Sequence, residues 1–285
     1  MQQLRSIGAF AFLVALAATP CATWDAAKAF DQTRYPDWKG QWGRAQPGAV
    51  KYDITKPLRD QQAPLTPEYQ AIFEANLRDQ DAGGQGIDPT YTCLSPGMPR
   101  IMNMYEPMEI VVTPDTTHIL TQHIHDARRI FTDGRDFPTD EEPTFAGYSI
   151  GKWVDTDGDG RYDELLIETR NLRSPHVYDA SGIPFHADGQ AVLKERIYRD
   201  PSNPNLLYDE ITSYDHALTR PWTVTKKYAR NLDPHPLWRE TVCAEANPHV
   251  EIAKQGYMIS ADGFLMPVKK NQPPPDLRYF KPNEK

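Results

Sequence analysis

"QAVLKERIYRDPSNPNLLYDEITSY" (residues 190–214) decides the fold. Two runs alternate with a period of two, and "DPSNPN" between them carries the Pro, Asn and Asp chemistry of a turn. In the first run Leu193, Glu195 and Ile197 share one face and Lys194, Arg196 and Tyr198 the other, because successive side chains of a strand point to opposite sides. The pair therefore reads as two strands joined by a short connection.

The same period extends outward in both directions. "EIVVT" (109–113), "THILTQHIH" (117–125), "ARRIFT" (127–132), "YSIGKWV" (148–154), "ELLIETRNL" (164–172) and "WTVTKKYAR" (222–230) bring the strand candidates to eight, and "TPDT", "TDGRDFP" and "DTDGDG" separate several of them. Short connections favour antiparallel neighbours, and no helix alternates with the strands, so a parallel α/β sheet is disfavoured. The predicted fold class is all-β, an antiparallel barrel of about 8–10 strands. Ahead of it, "LTPEYQAIFEANLRDQDAGG" predicts one helix: Thr66 caps it, Pro67 suits its first turn, Tyr69, Ile72, Phe73 and Leu77 share a face, and Gly83 and Gly84 stop it. Near the end, "GYMISADGFLMPV" predicts a hairpin turning at Asp262-Gly263, and "NQPPPDLRYFKPNEK" an extended tail.

The N-terminus carries Arg5 and then an uncharged apolar run from Ile7 to Ala18, too short to span a bilayer and shaped like a secretory signal. The expected organisation is a signal peptide at 1–22, a loop-rich segment at 23–108, a barrel core at 109–270 and a tail at 271–285, with 22–285 forming one structural domain. Export to the periplasm or beyond follows, with no membrane insertion once the signal is removed. Pro20 directly before Cys21 is wrong for a lipoprotein anchor. If Cys21 leaves with the signal, Cys93 and Cys243 remain, and in an oxidising compartment they pair as a disulfide; the alternative is two buried thiols. Twenty-six prolines and a mean hydropathy of -0.64 indicate many loops. A net charge of -8 disfavours nucleic acid, which needs a basic face, and leaves a small molecule as the expected partner, hydrophobic or aromatic given a barrel interior and its tyrosines. The sequence leaves the oligomeric state open.

"DTDGDGRYDELL" has two readings. Asp155, Asp157, Asp159 and Asp163 with Gly160 follow the spacing of a calcium loop, although Leu166 stands where a bidentate Glu belongs and no helix flanks it. The other reading is a solvated hairpin turn, and in both the role is structural.

"GQW" (40–42) at the head of a chain that becomes a barrel resembles the G-x-W first strand of lipocalins and other calycins. "CLSPGMPR" (93–100), "RRIFTDGRDFP" (128–138), "SIGKW" (149–153), "FHADGQAVLKERI" (185–197) and "TRPWTV" (219–224), in this order, resemble a widespread, largely uncharacterised group of exported bacterial proteins. The resemblance covers roughly Asp37 to Glu245 and implies a lipocalin-like barrel. It brings no settled activity, so function must come from the residues.

His123 and His125 lie at i and i+2 of one strand, on one face with Ile119 and Thr121. They could form an acid/base pair, or bind a metal given a third ligand such as His186 or Glu195; the structural alternative is one wall hydrogen bond and one exposed ring. Glu195, carried inward with Leu193 and Ile197, is a candidate general acid or base if unpaired, or half of a buried ion pair with Arg129 or Arg135. Asp133 and Arg135 sit in a turn that shapes ligand access at a barrel end, His186 lies in a loop that could reach the same mouth, and Tyr105, Tyr148 and Tyr214 offer aromatic surface. Asp215, Arg220 and Trp222 read as a corner ion pair and a packed indole. No serine elbow, cysteine nucleophile, phosphate loop or dinucleotide fingerprint is present.

Three functions compete. The first is cofactor-free acid/base catalysis, with His123, His125, Asp133, His186 and Glu195 as catalytic candidates and Arg129, Arg135, Tyr105, Tyr148 and Tyr214 holding substrate. Its class would be lyase, isomerase or hydratase chemistry, one example being carbon–carbon cleavage of an aromatic diol. The second is a periplasmic carrier of a small hydrophobic ligand. The third is an envelope-associated structural protein with calcium in the acidic hairpin.

Overall fold

Alternation of buried and exposed side chains carries each of the eight runs into a strand. The computed structural model describes residues 30–45, 63–103, 106–122, 127–174, 176–239 and 242–276. The expected signal peptide lies outside them. All elements below belong to the compact unit Gln32–Lys285. Strands β1 (Gln41–Arg44), β2 (Met108–Val112), β3 (Thr116–Thr121), β4 (Ala127–Phe131), β5 (Tyr148–Val154), β6 (Glu164–Arg170), β7 (Val192–Arg199), β8 (Leu206–Tyr214) and β9 (Trp222–Arg230) close into one barrel in chain order. Its inner face buries Ile110, Ile119, Ile130, Leu165, Ile167, Leu193, Ile197, Leu207 and Ile211. Each such side chain contributes about 1.5–3 kcal/mol by leaving water.

The barrel is mixed, not antiparallel throughout. β4 and β5 run parallel, held by only two register positions, Ile130↔Ser149 and Phe131↔Ile150; every other neighbouring pair is antiparallel. A parallel neighbour requires the chain to return the length of the strand, which takes a dozen or more residues. The segment 132–147 supplies that length, and a parallel bridge Thr144↔Leu172 fastens it on its way back. "TDGRDFP" is therefore the start of a return path and not a hairpin turn.

Closure of the ring rests on β1. Trp42 is fully buried, donates its indole N–H to the Trp38 carbonyl at 2.9 Å, and lies under the Arg230 guanidinium of β9 at 4.5 Å. Helix α1 (Pro67–Asp81) starts as expected, with Thr66 accepting the Tyr69 amide. Tyr69 and Phe73 are buried, but the inward face continues through Asn76, and Ile72 is 39% exposed. Asn76 donates to the Ser181 carbonyl and accepts the Ile87 amide, which ties the helix to the long β6–β7 connection. That connection buries Val177, Tyr178, Ile183 and Phe185, and Tyr178 stacks on Phe185 at 3.9 Å. Beside it, burial holds the His176 imidazole down at about 4, so the ring is neutral and its Nε2 donates to the Met98 carbonyl at 2.9 Å.

After the barrel come α2 (Cys243–Ala246) and the strands β10 (His249–Ile252), β11 (Gln255–Ile259) and β12 (Leu265–Pro267). The last two form the expected hairpin, yet all three make a separate sheet and do not join the barrel. Cys93 and Cys243 are disulfide-bonded. Among the described residues no helix is long and apolar enough to cross a membrane.

Candidate functional site

Alternation that places aliphatic residues inside the barrel also carries charge there. Arg128 on β4 and Glu195 on β7 are almost wholly buried, and the guanidinium grips the carboxylate with two bonds, Nη1 to Oε2 at 2.7 Å and Nη2 to Oε1 at 2.6 Å. Arg128 also donates to Thr169 Oγ1 at 2.9 Å and Ser149 Oγ at 3.3 Å. Glu195 is thus inside, as its face predicts, but its partner is neither Arg129 nor Arg135. Arg129 is one residue out of phase and exposed, whereas Arg128 shares its parity with buried Ile130.

Asp209 on β8 is the anomaly of this interior. It is fully buried between Ile197 of β7 and Lys226 of β9, and neither carboxyl oxygen has a hydrogen-bond partner among the described residues. Burial first, and Glu195 second, push its carboxyl well above the usual range, against the smaller pull of Arg128 and Lys226. The shift favours the protonated form of Asp209. Burial likewise raises the phenol of Tyr228, with Asp209 and Glu195 adding to it, and the hydroxyl donates to the Met102 carbonyl at 2.7 Å. Tyr228 also lines a cavity of about 10 Å³ with Trp42, Arg44, Ile101, Met102, Glu106, Met108 and Thr121. That is room for about one water.

Several predicted site residues go elsewhere. His123, His125 and Tyr105 lie outside the described residues. Asp133 and Arg135 bind each other, with Nη2–Oδ2 at 2.5 Å, and that pair holds the Asp133 carboxyl below its usual range. Arg135 lies over Phe131, the last residue of β4, at 3.9 Å and reaches the Tyr148 hydroxyl at 3.5 Å, on the outward faces of β4 and β5. Tyr148 faces outward beside buried Ser149, and Tyr214 is 43% exposed under Lys194. In the acidic hairpin Asp155, Asp157 and Asp159 converge, but Asp163 turns back to the Thr156 amide and hydroxyl. Asp155 accepts the Gly158 and Gly160 amides at 2.7 and 2.9 Å, so turn formation accounts for its orientation.

His186 does meet other chemistry. Its Nδ1 lies 3.0 Å from Asp188 Oδ2, and the same oxygen lies 2.6 Å from His216 Nδ1. Asp215 accepts the His186 and Ala217 amides at 3.2 Å each and the Tyr178 hydroxyl at 3.0 Å, which fixes both loops. Burial raises the Asp215 carboxyl. Its role is to clamp backbone, not to pair with Arg220.

Asp209, Lys226, Tyr228, Asp188 and His216 escape a motif search. A signal for the first three exists: Asp209 alternates with Leu207 and Ile211, and Lys226 and Tyr228 with Val224, the same rule that marks Glu195. Asp188 and His216 belong to loops, where no period operates. No family model matches the chain, and no curated protein is significantly similar to it.

Proposed function

We propose that the protein is an exported, lipocalin-like barrel that takes a small, largely apolar molecule at the end lined by Trp42, Met102, Met108, Thr121 and Tyr228, and moves protons on it without a cofactor. Asp209 is the acid, Tyr228 relays or anchors, and Lys226 and Arg128 supply positive potential for an anion formed during proton removal. Lyase, isomerase and hydratase chemistry share this need for one placed donor and one nearby cation. The observation that carries the reading is the fully buried Asp209 with neither oxygen hydrogen-bonded among the described residues. Leaving a buried polar group unsatisfied costs about 1–3 kcal/mol, and folded proteins keep few of them. Substrate access requires the Arg100–Asn103 turn beside the cavity to move, since the cavity as it stands has room for only about one water.

A carrier is the second reading, favoured by the complete commitment of Glu195 to Arg128. Chelator-treated wild type, Asp209→Asn and Tyr228→Phe would be incubated with a mixed library of small aromatic and terpenoid compounds and read by mass spectrometry for retention and mass change. The catalytic reading expects a change that Asp209→Asn abolishes, in mass for a lyase or hydratase and in chromatographic retention at constant mass for an isomerase. Unaltered compounds retained by all three proteins would leave a carrier, and no retention at all would overturn both.

A further inference from the structure

We propose that His186, Asp188 and His216, on the β6–β7 connection and the β8–β9 corner, form a site for one divalent transition-metal ion. One donor atom from each residue lies within 4.8 Å of the other two. An ion bonded at roughly 2.0–2.2 Å reaches three such atoms after small side-chain rotations.

Two groups of Asp188, its amide and its carboxylate, face His186 Nδ1. The Asp188 amide donates to His186 Nδ1 at 3.2 Å, which requires a lone pair on that nitrogen. Asp188 Oδ2 faces the same nitrogen at 3.0 Å, which requires something positive between them. A single proton cannot serve both contacts. Bound to an ion instead, Nδ1 gives its lone pair to the metal beside the Asp188 carboxylate and the 3.2 Å amide contact gives way, with the imidazole proton on Nε2, where neither ring has a partner among the described residues. Asp188 is prepared for this role: its Oδ1 accepts the Gln190 amide at 3.0 Å, leaving Oδ2 for both imidazoles.

The surroundings fix the donors as a metal site requires. Tyr69 packs on the His186 ring at 5.0 Å and accepts the Ala187 amide at 3.0 Å, while Asp215 clamps both loops from below. Two imidazoles and one carboxylate select zinc, iron, cobalt, nickel or copper over calcium and magnesium, which take oxygen donors. His186 is part-buried and Asp188 and His216 are exposed, so coordination positions remain for water or an exogenous ligand.

The test uses untagged, chelator-treated protein of the full mature chain, titrated with zinc against a chromophoric chelator and with cobalt by visible absorption. The expected result is one ion per chain, an intensified cobalt d–d spectrum, and affinity lowered at least about 100-fold in Asp188→Asn and His216→Gln. His216 is exposed, so His216→Gln leaves the fold intact. Asp157→Asn in the acidic hairpin should change nothing, and calcium should not compete. Affinity unchanged in both His216→Gln and Asp188→Asn, or displacement of zinc by calcium, would overturn the proposal.

Discussion

Asp209 gives the protein a pH signature of its own. Its folded-state acidity is raised by burial, whereas in the unfolded chain the same group ionises near pH ~4. Above that pH the unfolded state has released a proton that the folded state still binds, so the contribution of Asp209 to stability falls as pH rises, by up to about 1.4 kcal/mol per pH unit, until the folded-state value is reached. Below pH ~4 both states are protonated and the effect vanishes. Asp209→Asn cannot ionise, so the variant should gain roughly 1–3 kcal/mol at neutral pH and lose this slope. Urea unfolding of both proteins from pH 4 to pH 8 checks it; parallel curves would mean that Asp209 is ionised against Lys226. The inward position of such residues is legible in sequence, because period two assigns a face. Their partners are less so: Arg128 and Arg129 are adjacent, and only strand phase separates the buried cation from the exposed one.

At the scale of elements, Arg128 stitches one of the two shortest seams of the barrel, the other being β1–β2. β4 and β5 share two register positions, and Arg128 spans from β4 to Ser149 on β5, Thr169 on β6 and Glu195 on β7. Removing one partner leaves an uncompensated buried charge, so Arg128→Met or Glu195→Gln should each cost about 3–5 kcal/mol. Arg128→Met combined with Glu195→Leu removes both charges and should cost less than the sum, with coupling of roughly 1–3 kcal/mol in chemical denaturation. Additive losses would show that the pair does not act as a unit. The eight runs were legible because a barrel wall with one buried face enforces alternation on every strand. The parallel seam was not, since strand direction depends on the path of 132–147, whose Gly, Pro and Asp content signals a turn without stating its length. Ile72 of α1 failed for a related reason: polar Asn76 took the inward position because it satisfies backbone groups of Ser181 and Ile87.

For the whole molecule, the barrel and the sheet β10–β12 differ in what holds them. The barrel closes on itself through the β1–β9 pairing. The sheet and the residues flanking it instead grip α1 and the segment after it, through Lys269 with Asp79 of the helix, Gln85 with His249 at 2.6 Å, and Asn247 with the Tyr91 carbonyl at 2.6 Å. These polar links are part-buried or exposed, and such contacts contribute little individually. The disulfide is the covalent tether of the sheet, beside the buried Tyr257 side chain. Cys93 and Cys243 are 150 residues apart, and a bridge across so long a loop contributes about 2–5 kcal/mol by restricting the unfolded chain. In a Cys93→Ser/Cys243→Ser variant the loss should appear first as local opening: amide exchange should accelerate across 249–267 while β5–β9, the strands with the longest ladders, keep protection that falls only with global stability. Hydrogen exchange by mass spectrometry separates the two. Equal acceleration in both regions would mean that sheet and barrel unfold together and that the disulfide stabilises a single cooperative unit.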